Sequence, residues 1–359
     1  MSPPSIFITG GSGFVGQNAI TELTRKGHTV RALARSDEAA RRVTAAGAEA
    51  VRGELSSVDA LTEGIRGCEW VIHSAAKVEQ WGTWDEFYKV NVVGTENVLT
   101  AAAKAGAKRL VHVGTEAALV GERPLIDAAE DFPFPSHSSG LYPSTKRLAE
   151  ERVVAANRAG LETVVVRPRF IWGRGDTTLL PQLVAAVKRG QFMWISGGHY
   201  LTSTCHVTNV VEGIALALER GAPGNAYFLT DGAPAEFRWF ITALLETQGL
   251  DAPKASIPRP IAKVLAGLLE GVWGALHLAG APPLTSTLLH LMGEEVTVSD
   301  AKARRELGYT ASMSRDRGLR ELRQPAAKQP SEPASEPASK PGSEPERARP
   351  ESPPAQAQP

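Results

Sequence analysis

The stretch "TGGSGFVG", Thr9 to Gly16, holds four glycines in eight residues. Glycine loses more backbone freedom on folding than any other residue, so the run needs a reason. Before it stands the apolar run 5–8 (SIFI), which reads as a buried strand. After it, Val15, Ala19, Ile20 and Leu23 recur at helical spacing. A glycine turn between a strand and a helix N-terminus is built to hold phosphate, because free N–H groups and the helix dipole point at the anion. Gly11, Gly13 and Gly16 fit G-x-G-x-x-G, and Gly10, Gly13 and Gly16 fit G-x-x-G-x-x-G. Either pattern alone is weak in a chain with 34 glycines. The strand–turn–helix setting in the first βα unit turns it into a dinucleotide signal.

Downstream the same rhythm repeats. Strands are expected at 28–35, 49–52, 70–74, 109–114 and 163–168. Helices are expected at 37–46, 57–65, 84–104 and 142–159. Alternation of this kind predicts an α/β fold of the Rossmann type, a doubly wound parallel sheet with helices on both faces. Residues 1–168 form the dinucleotide-binding domain in this reading. Residues 169–323 form a smaller substrate-binding region interleaved with it. From about Gln324 the chain turns to Pro, Ser, Glu, Ala and Lys, with "SEPA" at 331–334 repeated at 335–338. Such a stretch has little to bury, so 324–359 is expected to be a disordered tail.

Bulk properties narrow the partners. The 359 residues carry zero formal net charge, which gives no reason to expect nucleic acid. The two cysteines, Cys68 and Cys205, lie far apart, so a disulfide framework is not expected and a reducing, cytoplasmic setting fits. No secretory signal precedes the glycine turn. None of the eight histidines has metal-ligand spacing.

Ligands of a doubly wound sheet lie beyond the carboxyl ends of its strands. The glycine turn places cofactor contacts at Gly10, Gly13, Phe14, Val15 and Gly16. After the second strand an NAD site usually carries an acid, but this chain has Ala34, Arg35 and Ser36. A cation and a hydroxyl suit a 2′-phosphate, so NADP(H) is the expected cofactor, with NAD(H) left open. Glu54 and Leu55 follow the third strand, Ser74, Ala75 and Ala76 the fourth, and Pro168 closes the strand 163–168. Small residues at such places let the backbone pass close to a cofactor.

"LYPSTKRLAE", 141–150, carries the chemistry. Tyr142 and Lys146 are four apart and share a helix face. Pro143 is tolerated only in the first turn, which sets the helix start near Tyr142. A free phenol with a pKa of about 10 is a poor proton carrier at neutral pH. A nearby ammonium is expected to lower that value. Thr115 lies just past the strand 109–114, where its hydroxyl could hold a substrate oxygen beside Tyr142. Glu116 follows it, facing either the site or solvent.

These motifs together resemble the extended short-chain dehydrogenase/reductase superfamily, and within it the 3β-hydroxysteroid dehydrogenase-like branch. The matching stretches are TGGSGFVG, HSAA, NVVGTENVL (91–99), YPSTK, RPRFIWGRGD (167–176) and HVTNVVEG (206–213), spanning roughly 5–310. The resemblance implies Tyr142 as acid/base, Lys146 as its activator and the Thr115 region as hydroxyl donor. Superfamily members often form homodimers through helices that would include those read at 84–104 and 142–159, and the sequence leaves the oligomeric state open. The loop can be aligned with Glu116 in the family's hydroxyl slot, and Thr115 is preferred because only it offers a hydroxyl.

Related sugar-nucleotide enzymes usually carry an arginine before the "HV" motif. Here "YLTSTCHV", 200–207, has Thr202 at that place. Loss of a phosphate clamp argues against a nucleotide-sugar epimerase or dehydratase. An intact Tyr142–Lys146 pair argues against a cofactor-binding regulatory protein without turnover. The run 261–281, IAKVLAGLLEGVWGALHLAGA, is apolar except for Lys263, Glu270 and His277, seven apart each time. On a helix these form one narrow polar stripe, drifting about 20° per heptad. Such a helix lines a core or pocket, or lies on a membrane. The function expected is an NAD(P)(H)-dependent oxidoreductase that interconverts a secondary alcohol and a ketone on a bulky apolar substrate, such as a sterol-like or long-chain 3-oxo compound.

Overall fold

A computed structural model describes residues 3–79, 81–276, 278 and 280–324. The 325–359 part of the expected tail and the stripe residue His277 lie outside the described residues. The first half runs β1 (Ile6–Thr9), α1 (Phe14–Arg25), β2 (Val30–Ala34), α2 (Asp37–Ala45), β3 (Glu49–Arg52), α3 (Val58–Ile65), β4 (Trp70–His73), α4 (Trp84–Tyr88), α5 (Gly94–Ala105), β5 (Arg109–Val113), α6 (Leu141–Ala155) and β6 (Glu162–Pro168). The second half runs β7 (Ile171–Trp172), α7 (Leu179–Lys188), β8 (Trp194–Ile195), β9 (Leu201–Thr202), β10 (Cys205–His206), α8 (Val207–Arg220), β11 (Ala226–Leu229), β12 (Ala235–Glu236), α9 (Phe237–Glu246), β13 (Ser256–Ile257), α10 (Arg259–Leu276), α11 (Ser286–Met292), α12 (Ala301–Leu307) and α13 (Arg315–Arg323).

Seven parallel strands form one sheet in the order β11-β6-β5-β4-β1-β2-β3. The order reverses at β1, where β4 and β2 lie on either side, and the glycine turn leaves the sheet there. Every residue of β1 is buried because helices cover both faces. Ile6 and Ile8 pack with Ile20 and Leu23 of α1 and Ile214 of α8. Phe7 points the other way, to Leu61 and Ile65 of α3 and Val98 of α5. From the second half, β11 returns to pair with β6, and α8 covers the sheet beside α1. The two halves thus share one sheet.

Three helices differ from their sequence reading. The stretch read as one helix over 84–104 is interrupted by a π turn, Lys89–Val93, between α4 and α5. Its extra residue per turn brings Asn91 inward, where the side chain links distant elements of the site. The helix read to 159 stops at Ala155. The helix read over 261–281 spans Arg259–Leu276, and its orientation reverses the core expectation. Only Ala262 and Ala266 are buried. Ile261, Val264, Leu268, Val272 and Leu276 stand exposed on one face. Glu270 of the polar stripe instead turns to α11, accepting hydrogen bonds from the Ser286 amide (2.7 Å) and hydroxyl (2.8 Å).

Candidate active site

The glycine turn closes tightly. The Gly13 amide donates to the Gly10 carbonyl at 3.0 Å. Gly10 has φ +72, and a Cβ there would lie 2.6 Å from the Ala75 amide. A Cβ on Gly16 would lie 2.6 Å from the Gly11 Cα. The turn therefore sits directly against Ser74 and Ala75, just past the end of β4. Gly13 caps α1 without a side-chain hydrogen bond, so the first helical amides remain free for an anion. This cradle fits the pyrophosphate of a dinucleotide.

Around it lie the other residues expected to meet the cofactor. Ala34 is fully buried at the end of β2, and Arg35 is exposed with no partner among the described residues. The Ser36 hydroxyl caps α2, accepting from the Ala39 amide at 3.2 Å. Asp37, the nearest acid, is paired with Arg52. Glu54 is exposed, and the Leu55 carbonyl accepts from Asn97 at 2.8 Å. Phe14 is buried, Val15 partly buried, and Pro168 is buried at the end of β6.

α6 begins at Leu141 because Gly140, with φ +105, turns the chain where a side chain would run into Thr287 of α11. Tyr142 and Pro143 occupy the first turn. One turn on, Lys146 is buried and donates to the Val113 carbonyl (2.9 Å) and to His112 Nε2 (3.1 Å) at the end of β5. Burial lowers the ammonium to about 8, against the charge of Glu150, which itself pairs with Arg167. His112 must accept here, so it is neutral, with its proton on the buried Nδ1, which has no partner among the described residues. Burial and the Lys146 charge hold it well below the ordinary histidine range.

Beside it lies a second neutral histidine. Thr95 spends its one hydroxyl proton on the Asn91 carbonyl at 2.6 Å. His73 Nε2 must therefore donate to Thr95 (2.9 Å), and His73 Nδ1 accepts from Thr9 (2.7 Å). Burial, then Lys146, lowers His73 to about 3. Asn91 continues the chain, donating to Thr145 Oγ1 at 3.0 Å and accepting from the Lys77 amide at 2.7 Å. The π turn thus ties the strand leading into the glycine turn to the helix that carries Tyr142 and Lys146. Sequence reasoning missed Asn91, His73 and His112 in this role. The first two stand inside the quoted NVVGTENVL and HSAA stretches, but their partners are distant in sequence.

Tyr142 corrects one expectation. Its phenol is not lowered by an ammonium. Burial among close-packed protein atoms raises it above the ordinary phenol range, and the Glu116 charge adds to the rise. Lys146 does not supply the opposing charge because its amine turns to His112 and Val113. Thr115 lies just past β5 and is buried, but its hydroxyl does not point free toward a substrate oxygen as expected: it donates its one proton to Glu116 Oε2 at 2.9 Å. Glu116 faces inward, and its Oε1 accepts from Arg169 Nη1 at 2.8 Å.

A phenol, a hydroxyl and an amine at the mouth of a dinucleotide cradle suit carbonyl–alcohol chemistry, and the similarity to known proteins agrees. Residues 7–259 match the 3-beta hydroxysteroid dehydrogenase/isomerase family. The chain belongs to that family. It is 50% identical over 318 residues to 4-hydroxy-2-methyl-3-oxo-4-farnesyl-3,4-dihydroquinoline-1-oxide ketoreductase of Stigmatella aurantiaca, covering 89% of this chain and 95% of that protein. It is 34% identical to 2-alkyl-3-oxoalkanoate reductase of Stenotrophomonas maltophilia (strain K279a), covering 90% and 99%. Among solved structures, dTDP-glucose 4,6-dehydratase from Streptomyces venezuelae superposes with a TM-score of 0.69 at 23% identity, over 89% of this chain and 96% of that one. That likeness speaks for the fold alone. As a member of the 3-beta hydroxysteroid dehydrogenase/isomerase family the protein is a nicotinamide-dependent oxidoreductase. The bound cofactor supplies or takes the hydride, and the chain's own task is to place the carbonyl oxygen and move a proton to or from it. No described helix is long and apolar enough to cross a membrane.

Proposed function

We propose that this protein reduces a ketone on a bulky, apolar molecule with NADPH. Tyr142 gives the proton to the carbonyl oxygen, Thr115 turns its hydroxyl from Glu116 to that oxygen, and Lys146 leaves His112 to hold the nicotinamide ribose. The cradle from Gly10 to Gly16 takes the pyrophosphate, with Glu54, Leu55, Ser74, Ala75, Ala76 and Pro168 along the cofactor's path. Arg35 and the N-terminus of α2 take the 2′-phosphate, since Ala34 offers no acid to a ribose diol and Asp37 is neutralised by Arg52.

The observation that carries the substrate reading is the state of the expected phosphate clamp. Thr202 is fully buried, and the cation near it, Arg169 (3.3 Å), is already neutralised by Glu116. Among the described residues a diphosphate would find no free cation beside Thr202. The names of the relatives, a farnesylated quinoline oxide and a 2-alkyl-3-oxoalkanoate, support a long apolar substituent instead. Oxidation of NADPH and NADH against ketosteroids, 2-alkyl-3-oxoalkanoates and UDP-sugars tests this. Turnover is expected with the apolar ketones and NADPH. Epimerisation of a UDP-sugar would overturn it.

The exposed stripe on α10 supports contact with a lipid surface, from which such a substrate would come. The stripe is continuous over five residues, and α10 packs on α11, whose Leu291 carbonyl meets Arg169 in the site. Partial sedimentation with liposomes is expected, reduced by Leu268→Glu. Leu268 is 64% exposed, so its replacement should leave the fold intact, as circular dichroism would verify. A wild-type protein that stays in the supernatant would remove the membrane contact and leave the ketone reading standing.

A further inference from the structure

We propose that Arg52, at the end of β3, is a second reader of the adenosine 2′-phosphate and forms a two-arginine clamp with Arg35. The proposal rests on the NADPH reading above.

Strand register brings Arg52 to the right place. β2 and β3 run parallel, and Arg52 pairs with Ala34, the last residue of β2. Neighbouring strands lie about 4.8 Å apart, so Arg52 stands one strand spacing from the point where Arg35 leaves the sheet. Side chains alternate between the two faces of a strand. Ala50 packs against the cluster that holds Ala32, Ala34 and Ala39, on the α2 side. Val51 packs on the opposite side, with Leu33 and with Leu61 of α3. Arg52 shares the face of Ala50 and so turns toward α2. Arg31 on β2 has the parity of Leu33 and goes the other way, donating to the Gly64 carbonyl of α3 at 2.7 Å. Register and parity thus select one of these two arginines for the end of β2 where the ribose lies.

A single contact fixes its head group there. Arg52 Nη2 donates to Oδ1 of Asp37, the first residue of α2. Among the described residues Arg52 makes no other hydrogen bond, so Nε and Nη1 are left for a ligand. A guanidinium carries five N–H donors in a rigid fork and can hold a carboxylate on one side and a phosphate oxygen on another. Asp37 is the bracket that aims the fork. The neighbouring acid of α2, Glu38, is paired with Arg42. Charge then argues for a second cation. A phosphate monoester carries close to two negative charges at neutral pH, and Arg35 alone offsets one of them. Arg52 supplies the other. NADH presents a neutral diol at this point, so the effect of Arg52 falls on NADPH alone.

The test reads binding and not turnover. NADPH and NADH are titrated by nicotinamide fluorescence, and 2′,5′-ADP and 5′-AMP by calorimetry. The Arg52 side chain is 55% exposed, so Arg52→Gln should fold as the wild type does, which thermal melting verifies. It should weaken NADPH and 2′,5′-ADP by about tenfold, the equivalent of one charge-assisted hydrogen bond, and leave NADH and 5′-AMP as they were. Arg66→Gln, which removes an exposed arginine paired with Glu63 at the end of α3, controls for net charge and should change neither cofactor. The decisive variant is Asp37→Asn/Arg52→Gln. With the Asp37 charge gone, the loss of NADPH affinity should persist. Full recovery in this double variant would overturn the proposal, because Arg52 would then act only by neutralising Asp37. An Arg52→Gln protein that binds NADPH as before, or loses both cofactors alike, would overturn it too, and so would an equal loss in Arg66→Gln. A wild type that binds 2′,5′-ADP no better than 5′-AMP would instead overturn the NADPH reading, and this proposal with it.

Discussion

Lys146 is a buried cation, and its burial should be visible as stability. The fall from 10.5 for a free lysine to about 8 corresponds, at 1.36 kcal/mol per pH unit, to about 3 kcal/mol. The sign follows from proton binding. Below pH 8 folded and unfolded chains both hold the proton, and the folded state carries the full cost. Between 8 and 10.5 the unfolded chain still holds a proton the folded chain has released, so stability rises with pH. Above that window the cost is gone. Lys146→Met keeps the length of the side chain and removes the titration. It also removes the hydrogen bonds to Val113 and His112, at about 1 kcal/mol each. The variant should therefore be about 1 kcal/mol more stable than the wild type at pH 7, although inactive. That advantage should shrink and reverse on going to pH 10, a swing of about 3 kcal/mol. Urea unfolding of both proteins at each pH unit from 7 to 10 measures it. Taking the difference cancels every titrating group that does not sense Lys146, and the two that do, His73 and His112, are neutral throughout this range. A difference that stays flat across the range would refute the claim that the buried amine is charged at neutral pH at the expense of the fold.

Three further outcomes are expected. Tyr142→Phe should lower turnover by at least about 100-fold, the usual contribution of a general acid, while NADPH binding, read by fluorescence, is unchanged. Arg35→Ala should weaken NADPH binding by one to two decades, the equivalent of about 1.5–3 kcal/mol for a charge-assisted contact, and leave NADH nearly as before; equal weakening of both cofactors would mean that Arg35 does not read the 2′-phosphate. Gly10→Ala should cost about 1–3 kcal/mol of stability and abolish cofactor binding, because the φ of +72 is strained for alanine and its Cβ would press on the Ala75 amide. Thermal melting with and without NADPH checks both parts.

Much of the fold and part of the site are legible in the amino-acid sequence. The glycine turn, the alternation of strands and helices, and the shared face of Tyr142 and Lys146 all depend on residues within a few positions of one another. Backbone freedom, side-chain period and helix geometry act at that range, so Thr9–Gly16 and Leu141–Glu150 declare themselves. Thr115 is legible for the same reason, as the hydroxyl at the end of a recognisable strand. What the sequence leaves open at Glu116, site or solvent, turns on a residue 53 positions away. Arg169 reaches Glu116 only because β5 and β6 are neighbours in the sheet.

The remaining features belong to tertiary structure for one physical reason: they are properties of surroundings. The charge of Lys146 and the proton on Tyr142 depend on burial and on what lies across the sheet, and the spacing of the two residues on a helix says nothing of either. His73 and His112 look alike as strand-end histidines until the Thr95 proton is assigned to Asn91, which requires a π turn that the apolar period of 84–104 does not reveal. The 261–281 run states its polar stripe in sequence, but which face turns to protein is decided by α11, whose Ser286 captures Glu270 and leaves the apolar face to the outside. By itself the sequence determined a dinucleotide cradle and a phenol–amine pair on one helix. Only packing between distant strands decided which of those groups keeps its proton.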